Sequence, residues 1–268
     1  MGYSLKKRGS KTALVTGAAR GLGRQYAQLL AEAGYNLVLV GRGRNIFDAA
    51  GEIGAAFPEL QLDCFLCDLS KPEAADAVFA FTQGQGIDVD VLVNNAAIFN
   101  FCDVTATSDE KIATMLTLHN LTLVRLCRLY GAQMALRGAG YILNMSSYSI
   151  WMPFPGLSLY SATKAFVRNF SVAFAKELRE KGVYVTAVCP AGIATDMYGL
   201  SKRLQNLGVK LGVLITPRRC AHKGLKALFR GRKLVVPDWW FKPLIPLMMH
   251  LPSCLERFVR RKMMRFQK

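Results

Sequence analysis

A tyrosine and a lysine that are four residues apart, Tyr160 and Lys164, could together carry acid–base chemistry. The segment around them has helical periodicity, and side chains four apart on a helix share one face. A phenol titrates at about 10 and exchanges a proton poorly at neutral pH unless an adjacent ammonium group stabilises its anion. Ser147 could donate a hydrogen bond to a substrate oxygen as charge develops there. These residues predict proton transfer to or from a carbonyl or alcohol oxygen.

A glycine-rich segment, residues 16–23, lies between a run typical of a β-strand and a run typical of a helix. Its spacing, Gly17-x-x-x-Gly21-x-Gly23, differs from the common Gly-x-Gly-x-x-Gly pattern. Glycines let the backbone approach a pyrophosphate closely, and a helix N-terminus offers N–H donors and a positive dipole end. On its own, the segment favours a phosphate-binding turn, with a simple tight turn as the alternative.

These residues lie on β-branched runs that alternate with helical periodicities, which is typical of βαβ units on a parallel sheet. Right-handed crossovers favour a single Rossmann-type α/β domain, a doubly wound parallel sheet of about seven strands with helices on both faces. We predict this domain over residues 1–236, with a loop or lid over 191–216 and a basic extension over 237–268. The predicted strands are 11–16, 36–40, 61–67, 90–93, 140–145, 183–188 and 233–236. The predicted helices are 22–33, 45–56, 72–83, 109–135, 158–181 and 217–229.

The formal net charge of +17 is concentrated near the C-terminal end. Residues 1–199 contain 18 Lys and Arg against 16 Asp and Glu, whereas residues 200–268 contain 17 against 2. From Leu255 onward, basic residues surround apolar ones at helical spacing, which predicts a basic amphipathic helix. Such a tail could contact an anionic membrane, phosphate-bearing ligands or nucleic acid, or could remain a solvated surface. No recognition motif favours nucleic acid.

Cysteine usage bears on the compartment and on metal binding. The seven cysteines are scattered, and no secretory signal precedes the first strand, so a disulfide framework is not expected. Cys64 and Cys67 form one CxxC without a second pair, which disfavours a zinc site. No apolar run has the length needed to span a bilayer. We expect a cytoplasmic protein, with peripheral membrane contact through the tail as an alternative.

Five motifs occur in the order and spacing of a known family: the glycine turn, residues 94–96, Ser147, the Tyr160–Lys164 pair and residues 189–195. On these motifs, residues 11–233 resemble the short-chain dehydrogenase/reductase (SDR) family of nicotinamide-dependent oxidoreductases. The chain departs from the family pattern at Ala97 and Ala191, where glycine is usual. The region beyond Phe99 is more weakly similar to the branch that contains 3-oxoacyl-CoA reductases and hydroxysteroid dehydrogenases.

The resemblance implies that Tyr160 is the catalytic acid/base and that Lys164 also holds the nicotinamide ribose. It further implies that Asn120 binds a water behind Lys164 and completes a proton relay. His119 and Asn95 are alternatives to Asn120.

For the catalytic serine, Ser146 is an alternative to Ser147. The thirteen-residue interval to Tyr160 favours Ser147.

The cofactor choice is expected at the end of the second strand. An acidic residue there would bind the ribose 2′-hydroxyl of NAD, but this chain has Gly41 and then Arg42, with Arg20 in the glycine turn. Two guanidinium groups favour a 2′-phosphate, so we predict NADP(H) over NAD(H). The full expected cofactor set is Gly17, Arg20, Gly21, Leu22, Gly23, Arg42, Asp68, Leu69, Asn94, Ala96, Tyr160, Lys164, Pro190, Ile193 and Thr195.

Apolar loop residues beside the catalytic set predict an extended apolar substrate, unless they only pack the lid on the core. They are Phe99, Ile150, Trp151, Met152, Phe154, Leu157 and Tyr198. The predicted function is an NADP(H)-dependent oxidoreductase that interconverts a ketone and a secondary alcohol on a steroid-like or 3-oxoacyl thioester substrate. The alternatives are a regulatory dinucleotide-binding protein and a nucleic-acid-binding protein, both without turnover. The resemblance implies a homodimer or homotetramer through the helices at 109–135 and 158–181.

Overall fold

The computed structural model describes residues 11–152 and 154–244, without the side chains of Tyr198, Trp239, Lys242 and Leu244. Its strands are β1 (Thr12–Thr16), β2 (Asn36–Gly41), β3 (Leu62–Leu66), β4 (Val89–Asn94), β5 (Gly140–Met145), β6 (Val183–Val188), β7 (Gly192–Ile193), β8 (Leu214–Ile215) and β9 (Leu234–Val235). Its helices are α1 (Gly21–Glu32), α2 (Asn45–Ala56), α3 (Ala74–Gly84), α4 (Asp109–Leu116), α5 (Thr122–Leu136), α6 (Ser158–Glu177), α7 (Lys202–Lys210) and α8 (Pro217–Phe229).

Seven strands form one sheet in the order β3-β2-β1-β4-β5-β6-β9, with every neighbouring pair parallel. Alternate residues of a strand face opposite sides, so Ala13 and Val15 of β1 pack with α1 and α8 while Leu14 packs with α5 and α6. Burial on both faces explains the nearly continuous apolar strands. The doubly wound Rossmann-type sheet predicted from the sequence is confirmed.

The strand order places the candidate site. β2 and β3 lie on one side of β1, and β4, β5 and β6 lie on the other. The connections that follow β1 and β4 therefore run in opposite directions and leave a crevice at the carboxyl edge of the sheet. The glycine turn follows β1, Arg42 follows β2, Asp68 follows β3, Ser147 follows β5 and Pro190 follows β6. All of these segments therefore meet at one edge.

The region 191–216, predicted as a loop or lid, is not an irregular loop, because it contains β7, α7 and β8. β7 and β8 pair with each other in a separate two-stranded sheet. Ser201 caps α7 by accepting a hydrogen bond from the Leu204 N–H. Two-residue strands are too short to show a period, and the nine-residue α7 is shorter than the helices that periodicity indicates with most certainty.

The predicted helix 109–135 is also divided, because a π-helical turn, Thr117–Leu121, separates α4 from α5. Inserted π turns are frequent at functional sites, and this one contains His119 and Asn120.

The beginning of the predicted tail is ordered against the domain, with a 3-10 turn over Trp239–Leu244. The predicted amphipathic helix from Leu255 lies outside the described residues. Within residues 11–152 and 154–244, no helix has the length and hydropathy to cross a membrane. The same residues hold no cluster of potential metal ligands.

Candidate active site

The glycine turn is shaped for close backbone approach. Gly17 and Gly21 have φ of +65° and +57°, a region that residues with a Cβ rarely adopt. A Cβ on Gly23 would lie 2.1 Å from the Gly17 carbonyl oxygen. Among the described residues, no side chain caps the N-terminus of α1, and its first turn has no acidic residue. These features fit a pyrophosphate group bound at the helix N-terminus.

The residues after β4 brace this turn from behind. The Asn95 amide donates to the Thr16 carbonyl at 3.0 Å, and the backbone N–H groups of Asn95 and Ala96 donate to the Thr16 hydroxyl. Asn95 is therefore committed to the glycine turn, which removes it as an alternative to Asn120. The side chain of Asn94 points into the sheet and donates to Asn144 at 2.9 Å. Any contact of Asn94 with a cofactor must come from its backbone.

The outer end of the crevice combines one carboxylate with exposed guanidinium groups. Asp68 accepts hydrogen bonds from the Ser70 hydroxyl and N–H at 2.7 and 3.0 Å, and these bonds hold its pKa below the ordinary value, with a smaller contribution from Arg42. Arg42 and Arg20 are exposed. The Leu69 carbonyl accepts the Thr122 hydroxyl, which fixes the loop after β3.

Tyr160 and Lys164 lie one turn apart on α6, and both are buried at the carboxyl edge of β5. The Lys164 Nζ is 5.8 Å from the centre of the Tyr160 ring and donates to the Met145 carbonyl at 3.0 Å. Burial lowers the pKa of Lys164 to about 8. The ammonium group thus stays mainly protonated at neutral pH, close enough to favour a phenolate.

The structure separates the two candidate serines. The Ser146 hydroxyl donates to the Lys164 backbone carbonyl at 2.8 Å, which joins β5 to α6. The Ser147 hydroxyl lies at the start of the next turn and accepts the Ser149 N–H at 3.1 Å. Because the Ser147 oxygen is the acceptor in that bond, the Ser147 hydroxyl can still donate its proton to another group. Ser147 is therefore the serine suited to bind a substrate oxygen.

Asn120 lies in the π-helical turn and donates from Nδ2 to the Thr163 carbonyl at 3.0 Å. Thr163 immediately precedes Lys164, so Asn120 is joined to the catalytic helix at the lysine. This position agrees with a role behind Lys164.

The sequence reasoning missed the structural role of His119. Its Nε2 accepts the Ile98 N–H at 3.0 Å, so Nδ1 carries the proton and donates to the Thr163 hydroxyl at 2.9 Å. That hydroxyl donates to the Tyr160 carbonyl at 2.7 Å, and the His119 ring lies edge-on to the Tyr160 ring. Burial, with help from Lys164, lowers the pKa of His119 well below 6.5. A neutral histidine thus fixes the backbone that carries the tyrosine.

The loop after β6 closes the other end of the crevice. Thr195 lies against the glycine turn, since a Cβ on Gly21 would be 3.5 Å from its methyl group. Ile193 is buried in β7, and the Pro190 carbonyl accepts the Tyr148 N–H at 2.8 Å. These contacts bring the expected nicotinamide-binding segment beside both the phosphate turn and the Ser147 loop.

Three residues after β9 hold loops around this site, a role that the sequence did not indicate. The Asp238 carboxylate accepts the Ala191 N–H at 2.9 Å, the Trp240 indole donates to the Gly212 carbonyl at 3.0 Å, and the Phe241 carbonyl accepts the Tyr148 hydroxyl. Burial raises the pKa of Asp238. The first residues of the predicted tail are therefore part of the site's scaffold.

The predicted substrate residues divide into two groups. Phe99 meets the Tyr160 ring edge-on at 5.0 Å, and Phe154 and Leu157 are buried in the same apolar cluster as Tyr160. Ile150 and Phe154 also line an open groove of about 490 Å³ against the other side of α6. Tyr160 is not among the residues that line this groove.

Trp151 and Tyr198 were also predicted to line the substrate pocket. Trp151 packs edge-on against Tyr148, in a small cluster with Met152. The side chain of Tyr198 lies outside the described residues.

The chain is similar to known proteins over most of this region. A family model described as short chain dehydrogenase matches residues 11–205. A very-long-chain 3-oxoacyl-CoA reductase of Neurospora crassa is 33% identical over 73% of this chain and 60% of that protein. A 17-beta-hydroxysteroid dehydrogenase type 3 of Danio rerio is 31% identical over 72% of this chain and 64% of that protein.

A solved short-chain dehydrogenase from Sphingobium yanoikuyae, in complex with NADPH, superposes with a TM-score of 0.76 at 27% identity, covering 90% of this chain and 96% of that one. The match spans only about 60% of the length of the curated relatives. With the fold, the glycine turn and the tyrosine–lysine pair in place, the chain belongs to the short-chain dehydrogenase/reductase family.

Proposed function

We propose that the protein is an NADP(H)-dependent oxidoreductase that interconverts a ketone and a secondary alcohol. The observation that carries this proposal is the buried pair of Tyr160 and Lys164, one turn apart on α6 and next to Ser147. The pair lies at the sheet edge where the glycine turn would hold a dinucleotide. A regulatory protein without turnover would have no need of this arrangement.

Each side chain has a defined task in the proposed reaction. Bound NADPH would supply a hydride to the carbonyl carbon. Ser147 donates a hydrogen bond to the carbonyl oxygen, and Tyr160 transfers its proton to the same oxygen as charge develops. Lys164, held by the Met145 carbonyl, favours the resulting phenolate. Asn120 holds the π-helical turn to α6 through the Thr163 carbonyl, and the family resemblance implies that it would bind a water behind Lys164 that returns the proton.

Arg42 and Arg20 support NADP(H) as the preferred cofactor. Both are exposed near the ends of β2 and β1, and Arg42 acts electrostatically on Asp68 across the gap. Guanidinium groups at this place would pair with a 2′-phosphate. We expect Arg42→Ala to raise the KM for NADPH by about tenfold, the scale of one charge-assisted contact, while the KM for NADH stays unchanged. The matched control is Lys181→Ala, which removes a cation just before β6. An equal rise in the KM for NADPH and the KM for NADH in Arg42→Ala would contradict this assignment.

The substrate is expected to be apolar and extended. Phe99, Phe154 and Leu157 surround Tyr160 with apolar and aromatic groups. The names of the relatives, a very-long-chain 3-oxoacyl-CoA reductase and a 17-beta-hydroxysteroid dehydrogenase, support 3-oxoacyl thioesters and ketosteroids as the classes to examine first.

A substrate panel tests the proposal directly. The purified protein is mixed with NADPH or NADH and with a 3-oxoacyl-CoA, a ketosteroid or an aryl ketone, and the absorbance of the reduced nicotinamide is followed. We expect turnover of at least one apolar ketone, with a higher kcat/KM for NADPH than for NADH. Tight NADPH binding without oxidation on any member of the panel would favour the regulatory alternative. A preference for NADH would contradict the cofactor assignment.

A further inference from the structure

Helix α7 presents apolar side chains to solvent. Leu204, Leu207 and Leu211 follow one another at intervals of three and four residues and are 42%, 49% and 68% exposed. Met197 and Val213, at the two ends of the same segment, are 44% and 54% exposed. We call these five residues the α7 face. Several large apolar side chains exposed together usually mark a contact surface.

The orientation of this helix is fixed by its inner side. Gln205 is only 3% exposed and donates to the Asp196 carboxylate and the Leu200 carbonyl. Gly208 packs directly against Leu214, where a Cβ would lie 2.7 Å from its side chain. A helix that buries a glutamine and exposes three leucines has its polarity inverted relative to an ordinary surface helix. The α7 face is therefore directed outward by specific contacts.

The charges around the α7 face are predominantly positive. Arg203 and Lys210 are exposed on the same helix, and its 3.6-residue periodicity places both beside the leucines. From residue 197 to residue 237 the chain has ten Lys and Arg and no Asp or Glu. Asp196 is paired with Lys202 at the start of this stretch. An apolar stripe flanked by cations is the pattern of helices that lie in the headgroup region of an anionic bilayer.

The sign of the charge decides among the possible occupants. A second copy docked through the same face would bring two cationic helices together. The chain's own segment beyond residue 244 has five basic residues between Arg257 and Arg265, so it would be repelled as well. An anionic lipid surface complements the cations and buries the leucines. We propose that the α7 face is a docking surface for anionic lipid bilayers.

Docking through this face would bring the site close to the membrane. α7 directly follows the segment with Thr195, which lies against the glycine turn, and its C-terminal end is held by the Trp240 indole at Gly212. The bilayer would then lie beside the entrance to the crevice. The inference goes beyond the proposed reaction and does not depend on which substrate is reduced, because lipid binding is measured without turnover.

Sedimentation with lipid vesicles tests the inference on the full chain. One set of vesicles contains phosphatidylglycerol in phosphatidylcholine, and the other contains phosphatidylcholine alone. The variants are Leu207→Ser with Leu211→Ser, and Arg203→Gln with Lys210→Gln. The matched control is Leu136→Ser, which removes a leucine that is 89% exposed at the end of α5, away from α7. Thermal unfolding and NADPH titration establish that each variant is folded.

We expect the wild type and Leu136→Ser to bind the anionic vesicles, less tightly at high salt, and to bind the neutral vesicles weakly. Each α7 double variant should bind the anionic vesicles on the order of tenfold more weakly, from lost apolar burial in one case and lost cations in the other. Equal binding by the wild type and both α7 variants would overturn the inference, as would no binding by the wild type. Concentration-dependent self-association that the leucine variant abolishes, without vesicle binding, would also overturn it and identify a second copy as the occupant.

Discussion

Replacing Gly23 with alanine tests whether the glycine turn depends on close backbone approach. The added Cβ would lie 2.1 Å from the Gly17 carbonyl oxygen and 2.6 Å from the Asn95 amide nitrogen. Since such contacts normally exceed about 3 Å, the turn must open by about 1 Å. The displaced groups are the backbone of the turn and the amide that braces it, and neither can rotate away as a flexible side chain can.

Overpacking of this kind costs about 1–3 kcal/mol, and we expect the free energy of unfolding to fall by that amount. Because the moved backbone is the expected pyrophosphate cradle, the Kd for NADPH should rise at least about tenfold, which corresponds to about 1.4 kcal/mol. Denaturant unfolding measures the first effect, and titration of NADPH fluorescence measures the second.

Gly51→Ala is the matched control. Gly51 lies in α2, and a Cβ there meets nothing within 4 Å. Alanine in a helix interior is favoured over glycine by about 0.5–1 kcal/mol, so this variant should be as stable as the wild type or more stable, with unchanged NADPH binding. Wild-type stability and NADPH affinity in Gly23→Ala would refute the close-approach account of the turn.

Two further predictions concern the buried ionisable groups next to Tyr160. Lys164→Met should abolish turnover yet raise or preserve the Tm. The reason is that it removes an ammonium group whose burial is unfavourable and lowers its pKa to about 8. A clear loss of Tm would show instead that the lysine stabilises the fold. In the folded protein His119 stays neutral, whereas in the unfolded chain it binds a proton below about pH 6.5. The contribution of His119 to the free energy of unfolding is therefore present above that pH and is lost as the pH falls. His119→Gln should reduce the pH slope of the free energy of unfolding between pH 5 and 6.5, where one such group contributes up to about 1.4 kcal/mol per pH unit. Identical slopes in both proteins would contradict the buried neutral state.

The sequence predicted the parts of the site that depend on local spacing. A glycine turn between a strand and a helix, and a tyrosine four residues before a lysine, have meaning without knowledge of the tertiary structure. The apolar strands, with few polar interruptions, predicted the central sheet because this pattern is also local in the sequence. The predicted parallel sheet of about seven strands is confirmed.

Features that depend on long-range contacts could not be predicted in this way. His119 acquires its role only when Ile98 and Thr163 are brought to it from other elements. Asp238 lies 47 residues from Ala191 in sequence, so no local pattern connects them. The orientation of α7, with its leucines outward and its glutamine inward, could not be predicted either, because periodicity does not show which face meets the core.

The measurement that tests the central claim most directly compares Tyr160→Phe with the wild type in two assays, NADPH binding and turnover of the best ketone in the substrate panel. The substitution removes the phenolic oxygen that would transfer the proton and leaves the buried ring in contact with Phe99. The proposed mechanism predicts that NADPH binding is largely preserved and that kcat falls by at least about 10²-fold, the contribution of one positioned acid/base. Turnover close to that of the wild type would show that another group transfers the proton and would contradict the account.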